Sequence, residues 1–313
     1  YFPFDFSFAV RRFLEHHKPR VFATMETEIW PNVTRIARAR GLKLILANGR
    51  ISDRSFPRYR AVRRIVGHIL RNYDRVLARE EVDRDRFIAI GAPAARVEVT
   101  GNVKFDYEPD SSPIDAAPQI ESLIAGRKLL ILGSTMEGED EALLPLVEAF
   151  LREQNAFIVI APRKAERFEQ VAALLATTSM RFVRRTTLQN ESADVLLLDT
   201  FGDLARMYRY ATVAFVGGSI APFGGHNPIE PAAAGVPVCF GPSMSNFREI
   251  ATAFLDADAA EEVASPGEVI EFASRMFDDE VEQKALGGRA REVVQRNRGA
   301  SERTARRIVE LLA

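Results

Sequence analysis

Residues 213–242 read VAFVGGSIAPFGGHNPIEPAAAGVPVCFGP, and their pattern is a clear indication of the fold. The apolar runs at 213–219 and 236–242 predict two strands, and the small residues at 227–235 predict a short helix that ends at a glycine. Continuous apolar strands joined through a helix are typical of a parallel sheet with helices on its faces. The stretch therefore predicts one strand–helix–strand unit of an α/β protein.

The same alternation runs through the rest of the chain. We predict strands at 20–27, 42–48, 75–80, 96–102, 127–135, 156–163, 181–186 and 194–200. We predict the other helices at 31–41, 56–73, 80–91, 137–154, 165–178, 202–211 and 246–257, followed by a helical tail. The predicted fold class is two Rossmann-like, doubly wound α/β domains with a cleft between them.

The stretch YEPDSSPIDAAP at 107–118 has no apolar periodicity and predicts a linker. It separates a first domain at 1–106 from a second at 119–313, whose last helices are expected to pack back on the first domain. The first domain offers four strands and the second about six. Because the chain also starts abruptly and without methionine, we expect the first domain to be incomplete.

Composition limits the possible functions. The net charge is −1, but seven arginines and a single acid, Asp53, lie between Arg50 and Arg71. Such a basic stripe indicates an anionic surface or ligand, or alternatively a solvated helix face. The one cysteine, Cys239, lies in an apolar run, and the four histidines show no zinc-binding spacing. No apolar run reaches the length of about 18 residues that a membrane span needs.

Polar clusters in the second half follow predicted strands. Ser134 lies in GSTMEGED, where small residues would let backbone N–H groups approach an anion, or would cap a helix. Pro162 and Arg163 follow the next strand, and Arg163 suits a phosphate, or else a surface ion pair. The stretch 199–203, DTFGD, would clasp a base or ribose, or would cap a helix through Asp203.

The quoted stretch contains the most specific cluster. Pro228 is a plausible first helical residue, so Glu230 would lie in the first turn and accept hydrogen bonds from a ribose diol. Gly224, Gly225 and the helix N-terminus would hold a nucleotide phosphate. The alternative is a capping arrangement with Glu230 as the acid of the first turn.

The first half has its own strand-end cluster. In METEIWPN, Glu26 and Glu28 flank Thr27, and we expect them to share a face, where paired carboxylates would do acid–base work or stabilise a positive transition state. The alternative is an ion pair with the local arginines. Asn48 lies in NGRISDRS, and Lys104 lies in GNVKFD at the end of the last strand of this half.

Together these motifs resemble one family. ETEIWPN, NGRISDRS, GNVKFD, GST followed by EGE, PR before ERF, GGHNPIEPAA and NFREI occur in the order typical of 3-deoxy-D-manno-octulosonic acid (Kdo) transferases, which are GT-B glycosyltransferases of lipopolysaccharide assembly. The resemblance covers essentially the whole chain. It implies transfer of Kdo from CMP-Kdo to a phosphorylated lipid A precursor, with no metal, no cofactor and no nucleic acid.

The resemblance also implies roles for individual residues. Glu26 and Lys104 match residues used around the transition state. Glu28 and Asn48 are expected on the acceptor side, and charge placement predicts that Arg50 and Arg54 face the acceptor's phosphates. The donor-binding residues are Ser134, Pro162, Arg163, Phe201, Gly202, Asp203, Gly218, Ser219, His226, Asn227, Pro228, Ile229 and Glu230. The first domain would bind the acceptor and an anionic membrane surface, and the second would bind the CMP-sugar.

The sequence departs from the family pattern at three places. The family's general base is a glutamate in a Ser-x-Gly-Glu segment upstream of ETEIWPN, and residues 1–313 contain no match to it. Met136 and Lys164 stand where many members have histidine. We expect the base, and a membrane anchor, to belong to a preceding segment, and the protein to lie at the cytoplasmic face of the bacterial inner membrane, peripherally or through that anchor.

Two other functions remain open on sequence grounds. A sugar-nucleotide epimerase of the same fold also uses two Rossmann-like halves, and it would need no lipid acceptor. A non-catalytic fragment would bind the CMP-sugar or the membrane without the base. A dinucleotide oxidoreductase is less favoured, because no GxGxxG motif with a downstream acid follows the first strand of either half.

Overall fold

The computed structural model describes residues 4–312, which form two compact units. Unit 1 contains the chain up to Asp106 and again from Asn297, and unit 2 contains Tyr107–Arg296. Both units are built from parallel strands connected through helices. The predicted α/β fold class is therefore confirmed.

Unit 1 holds a four-stranded parallel sheet whose strands lie in chain order. Its strands are β1 (Val21–Met25), β2 (Lys43–Gly49), β3 (Arg75–Ala78) and β4 (Val97–Val99). The helices up to β4 are α1 (Ser7–His17), α2 (Pro31–Ala39), α3 (Phe56–Ala61), α4 (Arg63–Leu70) and α5 (Glu81–Ala89). Buried apolar side chains from β2, β3 and β4 and from α1, α2, α4 and α5 form one core.

One predicted helix of unit 1 is divided in two. The sequence at 56–73 predicts a single amphipathic helix, whereas the structure has α3 and α4 separated at Val62. Only α4 contributes buried residues, and α3 has none. The basic stripe therefore spans two short helices, and the first packs on the core only through its half-buried Phe56 and Tyr59.

Unit 2 holds a seven-stranded parallel sheet in the order β11-β10-β9-β5-β6-β8-β7. Its helices are α6 (Ala117–Ile124), α7 (Glu139–Glu153), α8 (Phe168–Leu175), α9 (Asp203–Met207), α10 (Ile229–Ala234), α11 (Arg248–Leu255), α12 (Pro266–Asp278) and α13 (Glu280–Arg296). Its strands are β5 (Lys128–Thr135), β6 (Ala156–Pro162), β7 (Phe182–Arg184), β8 (Val195–Leu197), β9 (Val213–Val216), β10 (Val238–Phe240) and β11 (Glu261–Glu262).

The sheet of unit 2 is buried on both faces. Alternate residues of β5 belong to two different apolar clusters, with Leu130 and Leu132 in one and Leu129 and Ile131 in the other. Strands β6 and β8 alternate in the same way. Burial on both sides explains why these strands read as continuous apolar runs. The strand order reverses between β5 and β9, which is the arrangement of a doubly wound sheet.

The last helix, α14 (Ala300–Glu310), belongs to unit 1, and the sequence analysis expected the last helices of residues 119–313 to pack back on the first domain. The Asp106 carboxylate accepts hydrogen bonds from the N–H groups of Gly299 and Ser301 at the start of α14. Arg307 forms an ion pair of 2.7 Å with Glu98. The chain therefore returns to unit 1 after α13.

The segment predicted as a linker, 107–118, belongs to unit 2 and is held there by arginines. Arg206 donates a hydrogen bond of 3.1 Å to the carbonyl oxygen of Pro113, and Arg209 donates one of 3.0 Å to that of Ser112. These donors satisfy carbonyl groups that an irregular segment leaves unpaired. Composition indicated irregular backbone correctly but could not show this attachment.

None of the helices in residues 4–312 combines the length and the apolar character that crossing a bilayer requires.

Candidate functional site

Most of the predicted donor-binding residues lie in loops at the carboxyl edge of the unit 2 sheet. These loops follow β5, β6, β8 and β9. Strands β5 and β9 flank the reversal of strand order. Ligands of open parallel sheets bind at this point, because the connections from the two strands leave in opposite directions and open a crevice between them.

Three polar side chains, from the segments that follow two of these strands, interact electrostatically at this edge. The charge of Arg163, after β6, acts on both His226 and Glu230, which lie after β9. The Arg163 side chain is exposed, and within residues 4–312 it forms no hydrogen bond or ion pair. An exposed guanidinium with its donors unused can bind a phosphate or a carboxylate in a bidentate manner.

Burial at His226 favours the uncharged form of the imidazole. Burial, with a smaller contribution from the charge of Arg163, lowers the pKa of His226 from 6.5 to about 4. Its Nε2 atom is buried and has no hydrogen-bond partner among residues 4–312. The ring lies against Gly218, where a Cβ atom would come within 2.9 Å of the imidazole Cδ2. The glycine at 218 therefore makes room for the imidazole.

Glu230 lies in the first turn of α10, as predicted. The Nδ2 atom of Asn227 donates a hydrogen bond of 3.1 Å to the Glu230 carboxylate, and the Oδ1 atom of Asn227 accepts one of 3.2 Å from the N–H of Ile229. Burial raises the pKa of Glu230. Pro228 is the N-cap residue of α10 rather than its first helical residue. Asn227 thus accepts from the N–H of the first helical residue and also orients the carboxylate.

The glycine-rich loop after β9 already contains an anion. The carboxylate of Glu139, which is only 2% exposed, lies against backbone N–H groups of this loop. It accepts hydrogen bonds from the N–H groups of Met136 (3.0 Å), Gly218 (2.6 Å), Ser219 (3.0 Å), Ile220 (3.0 Å) and Ala221 (3.3 Å). A set of converging N–H groups is a typical anion site, and here a side chain of the protein fills it.

The phosphate cradle predicted at Gly224 and Gly225 is not formed by their N–H groups. The N–H of Gly224 donates to Ser243 Oγ, and that of Gly225 donates to the carbonyl oxygen of Gly218. Both residues have positive φ, of 87° and 71°, which favours glycine. Their function is to shape the loop, because a Cβ at Gly225 would lie 2.2 Å from the Sδ of Met244.

Ser219 is also internal. Its hydroxyl is fully buried, donates to the carbonyl oxygen of Val216 and accepts from the N–H of Gly241. Pro162, the last residue of β6, and Ile229 are buried as well. These predicted donor-binding residues therefore shape the edge of the sheet and do not offer side-chain polar groups to a ligand.

The loop after β8 divides into an exposed and a buried part. Phe201 is 64% exposed and lies against Phe168, with ring centroids 5.6 Å apart. Gly202 has a φ of 92° and precedes α9. The carboxylate of Asp203 is buried, pairs with Arg185 at 3.1 Å and accepts a hydrogen bond from Thr200. Phe201 can therefore contact a ligand, whereas Asp203 fixes the loop.

Ser134 is half-buried and has a φ of 57°, in the left-handed region. Within residues 4–312 its hydroxyl has no hydrogen-bond partner. A non-glycine residue in this conformation at the end of a central strand indicates a backbone constrained by its surroundings. Its hydroxyl is available to a ligand at the β5 edge.

In unit 1, the two predicted carboxylates have different partners. Glu26 has a φ of 55° and lies 3.6 Å from the guanidinium of Arg50. Glu28 accepts a hydrogen bond from the indole N–H of Trp30. The ion pair that the sequence left as an alternative is thus present for Glu26. The carboxylate nevertheless remains partly exposed, with 38% of its side chain accessible.

Asn48 supports the loop that carries Lys104. Asn48 is 2% exposed, and its Oδ1 atom accepts a hydrogen bond of 3.2 Å from the N–H of Val103. The N–H of Lys104 in turn donates to Asn102 Oδ1. Asn48, which was predicted on the acceptor side, is buried and supports the backbone beside Lys104.

The basic stripe lies on the exposed surface of α3, α4 and the loop before them. Between its arginines, the side chains of Val62 and Ile65 are 46% and 66% exposed. The exposed arginines, which form no ion pair within residues 4–312, are Arg54, Arg58, Arg60, Arg63 and Arg64. Unpaired basic groups mixed with apolar side chains are typical of a surface that binds an anionic interface.

Sequence reasoning missed several residues that shape these sites. Glu139 was read only as part of GSTMEGED, Phe168 as an ordinary helical residue, and Asp83 was not considered. Asp83 is buried, forms a 3.0 Å ion pair with Arg79 and accepts a hydrogen bond from the N–H of Ile51. Only for Glu139 was there a sequence signal, an acid in the first turn of a helix after a glycine-rich strand end.

Comparison with known proteins gives consistent matches. Residues 1–107 match the family model described as 3-deoxy-D-manno-octulosonic-acid transferase (kdotransferase). The chain is 33% identical over 308 residues to the 3-deoxy-D-manno-octulosonic acid transferase of Haemophilus influenzae, covering 97% of this chain and 72% of that protein. It is 34% identical to the enzyme of the same name from Bordetella pertussis, again covering 72% of that protein.

Solved structures add to these matches. The C-terminal CMP-Kdo binding domain of WaaA from Acinetobacter baumannii is 27% identical, with a TM-score of 0.53, and the match covers 57% of this chain and 97% of that one. UDP-GlcNAc 2-epimerase from Neisseria meningitidis has a TM-score of 0.65 at 16% identity and covers 98% of this chain and 79% of that one. At that identity the second match indicates the fold alone.

Proposed function

Since this chain belongs to the family of 3-deoxy-D-manno-octulosonic acid transferases, we propose that it transfers Kdo from CMP-Kdo to a phosphorylated lipid A precursor in lipopolysaccharide biosynthesis. The observation that carries the proposal is the group of Arg163, His226 and Glu230 at the carboxyl edge of the unit 2 sheet. A solved CMP-Kdo binding domain matches 57% of this chain over 97% of its own length, which supports the proposal.

Each part of the donor has a suitable partner at this edge. The unpaired Arg163 guanidinium would bind the phosphate or the Kdo carboxylate. The Glu230 carboxylate, oriented by Asn227, would accept hydrogen bonds from the ribose diol. The exposed ring of Phe201 would stack on the cytosine base, since aromatic stacking on a base is worth about 1–3 kcal/mol. Ser134 would donate its free hydroxyl to the sugar or phosphate.

We infer a direct displacement as the reaction. The acceptor hydroxyl loses its proton and attacks the anomeric carbon of Kdo, while the bond to the CMP phosphate breaks and CMP leaves with the electron pair. Lys104 would neutralise charge on the departing phosphate or on the Kdo carboxylate, and Glu26 would stabilise positive charge developing on the sugar. The general base would be a glutamate in a segment upstream of ETEIWPN, as the family pattern implies.

We also propose that α3 and α4 contact an anionic membrane surface, at the cytoplasmic face of the bacterial inner membrane. The support is the set of exposed arginines on these helices together with exposed Val62 and Ile65. Lysine and arginine near an anionic surface each contribute about 1 kcal/mol of attraction. Arg50 and Arg54, at the start of the stripe, would face the phosphates of the acceptor.

The function is tested by incubation with CMP-Kdo and a tetraacylated lipid A precursor, following CMP release and the mass of the lipid. Two proteins are compared: this chain, and a version that carries the native residues preceding Tyr1. We expect both to bind CMP and only the extended version to add Kdo to the lipid. The matched control replaces Glu230 by Gln in the extended version, and we expect it to weaken donor binding.

Other outcomes would overturn the proposal. If neither protein binds CMP or transfers Kdo, the donor site is wrongly assigned. If a free epimerised sugar nucleotide is released without any lipid acceptor, the chain is an epimerase of the same fold. If CMP binds but the extended version transfers nothing, the protein is a binding module.

A further inference from the structure

Resting on the proposed donor site, we propose that Glu139 is a positioning residue that shapes this site and keeps the donor's own anions out of the glycine-rich loop. Glu139 begins α7, next to the loop that follows β5. Its carboxylate is buried and lies against the loop that follows β9. It therefore joins the two loops that flank the reversal of strand order, where the donor is expected to bind.

The hydrogen bonds of Glu139 account for the loop's sequence. Oε2 accepts from Met136 of the β5 loop and from Gly218 of the β9 loop, so one oxygen links both loops. A Cβ at Gly217 would lie 2.9 Å from Oε2 and 2.7 Å from the carbonyl oxygen of Ser134. Glycine is thus required at 217 by the protein's own carboxylate and by the β5 backbone.

Occupation of the loop by Glu139 has a consequence for donor recognition. Converging backbone N–H groups would otherwise attract a phosphate or carboxylate. Because Glu139 already accepts from the N–H groups of Gly218 through Ala221, an incoming anion would meet a like charge there. The anions of the donor are directed to Arg163, whose guanidinium is exposed and unpaired within residues 4–312.

Removal of the carboxylate should leave the loop N–H groups without an acceptor. We expect Glu139→Ala, made in the transfer-competent protein, to raise the KM for CMP-Kdo at least about tenfold, because hydrogen bonds to charged groups are individually strong. The KM for the lipid acceptor should stay unchanged. A general loss of folded protein would instead lower the apparent kcat and leave the KM values for both substrates unchanged.

Chemical rescue distinguishes the positioning role from a loss of packing. Sodium formate supplies a small carboxylate that fits the vacated loop, and we expect it to lower the raised KM of Glu139→Ala while leaving the wild-type KM unchanged or slightly raised. The matched control is Glu268→Ala. Glu268 also accepts a hydrogen bond from a backbone N–H at the start of a helix, that of Ala264 at 2.8 Å, but lies on α12. The KM of Glu268→Ala for CMP-Kdo should equal that of the wild type, both with and without formate.

Hydrogen exchange of the free protein provides a readout that is independent of activity. The amides of Ser219, Ile220 and Ala221 should exchange faster in Glu139→Ala than in the wild type, and formate should slow them again. Unchanged exchange and an unchanged donor KM would overturn the proposal. If the wild-type protein itself does not bind the CMP-sugar, the proposed function fails, whereas the exchange result still reports on Glu139 alone.

Discussion

At the scale of single residues, ligand binding at the carboxyl edge of the unit 2 sheet depends on which charged side chains are already paired within the protein. Arg163 is exposed and unpaired within residues 4–312, whereas other arginines of unit 2 are occupied by carboxylates or carbonyl groups, as Arg167 and Arg184 are. A planar guanidinium presents a fork of donors to a phosphate, which lysine cannot reproduce. The position of Arg163 therefore matters more than the total charge.

We expect Arg163→Lys to raise the KM for CMP-Kdo about tenfold, the cost of losing one charge-assisted hydrogen bond. The matched control is Arg152→Lys on α7, where the arginine is exposed and pairs only with Glu148. Steady-state kinetics with varied donor measure the effect. An equal KM for the two variants would show that Arg163 does not contact the donor.

The neutral state of His226 predicts a pH dependence of stability. Its folded pKa of about 4 lies below the ordinary value of 6.5, so the unfolded chain binds the proton more readily. The stabilisation is complete above about pH 6.5 and is lost as the pH falls toward 4. Urea unfolding at pH 7 and pH 5 should show a larger loss of stability for the wild type than for His226→Gln. An equal loss in both would contradict a buried neutral imidazole.

At the scale of elements, short contacts determine where helices belong. Helix α14 is strongly charged, and its attachment to unit 1 uses the cap from Asp106 together with Arg303, which donates to the carbonyl oxygen of Thr100 at 2.8 Å. Hydrogen bonds from Ser301 and Gly299 keep the pKa of Asp106 below its ordinary value although burial opposes this. The Asp106 carboxylate thus attaches the start of α14 to unit 1.

We expect Asp106→Ala to lower the free energy of unfolding of unit 1 by about 1–2 kcal/mol, the usual cost of losing a helix cap. On the same helix, Glu302→Ala removes only an exposed ion pair with Arg306 and should cost less than about 0.5 kcal/mol. Denaturant unfolding, monitored through hydrogen exchange of the α14 amides, measures the change in the free energy of unfolding for both variants. Acidification below the ordinary carboxyl pKa should reduce the difference between wild type and Asp106→Ala, because the charged form of Asp106 makes the cap.

At the scale of the whole molecule, distribution of charge matters and total charge does not. The net charge of −1 gives no attraction to an anionic surface. The exposed arginines of α3 and α4 nevertheless place several positive charges within a short stretch of surface. At physiological salt, charges are screened over a Debye length of about 8–10 Å. Acidic residues farther away than this do not cancel the attraction of these arginines to anionic lipids.

We expect the variant Arg58→Glu, Arg60→Glu, Arg63→Glu and Arg64→Glu to lose binding to vesicles that contain anionic lipid. High salt should release the wild type from the same vesicles. The control reverses four arginines scattered over both units, Arg152, Arg181, Arg296 and Arg306, which gives the same net charge. Co-sedimentation measures binding, and equal binding by both variants would show that the stripe is an ordinary solvated face.

Local patterns were sufficient to predict most of the elements. The four strands of unit 1 and six of the seven strands of unit 2 were predicted from apolar runs, because strands that are buried on both faces consist of continuous apolar residues. β11, with two residues, is too short to produce a pattern. The break at Val62 was missed because the amphipathic period continues across it.

The sequence by itself determined the parallel α/β architecture, the family and the strand-end positions of Arg163, His226 and Glu230, since periodicity and motif order are local properties. Only the tertiary structure decided which polar groups remain available to a ligand. Glu139 fills the loop of Gly218, Ser219 closes on Gly241, and α14 joins unit 1. These outcomes depend on hydrogen bonds between residues far apart in the chain, and competition among donors and acceptors is settled only when the elements pack.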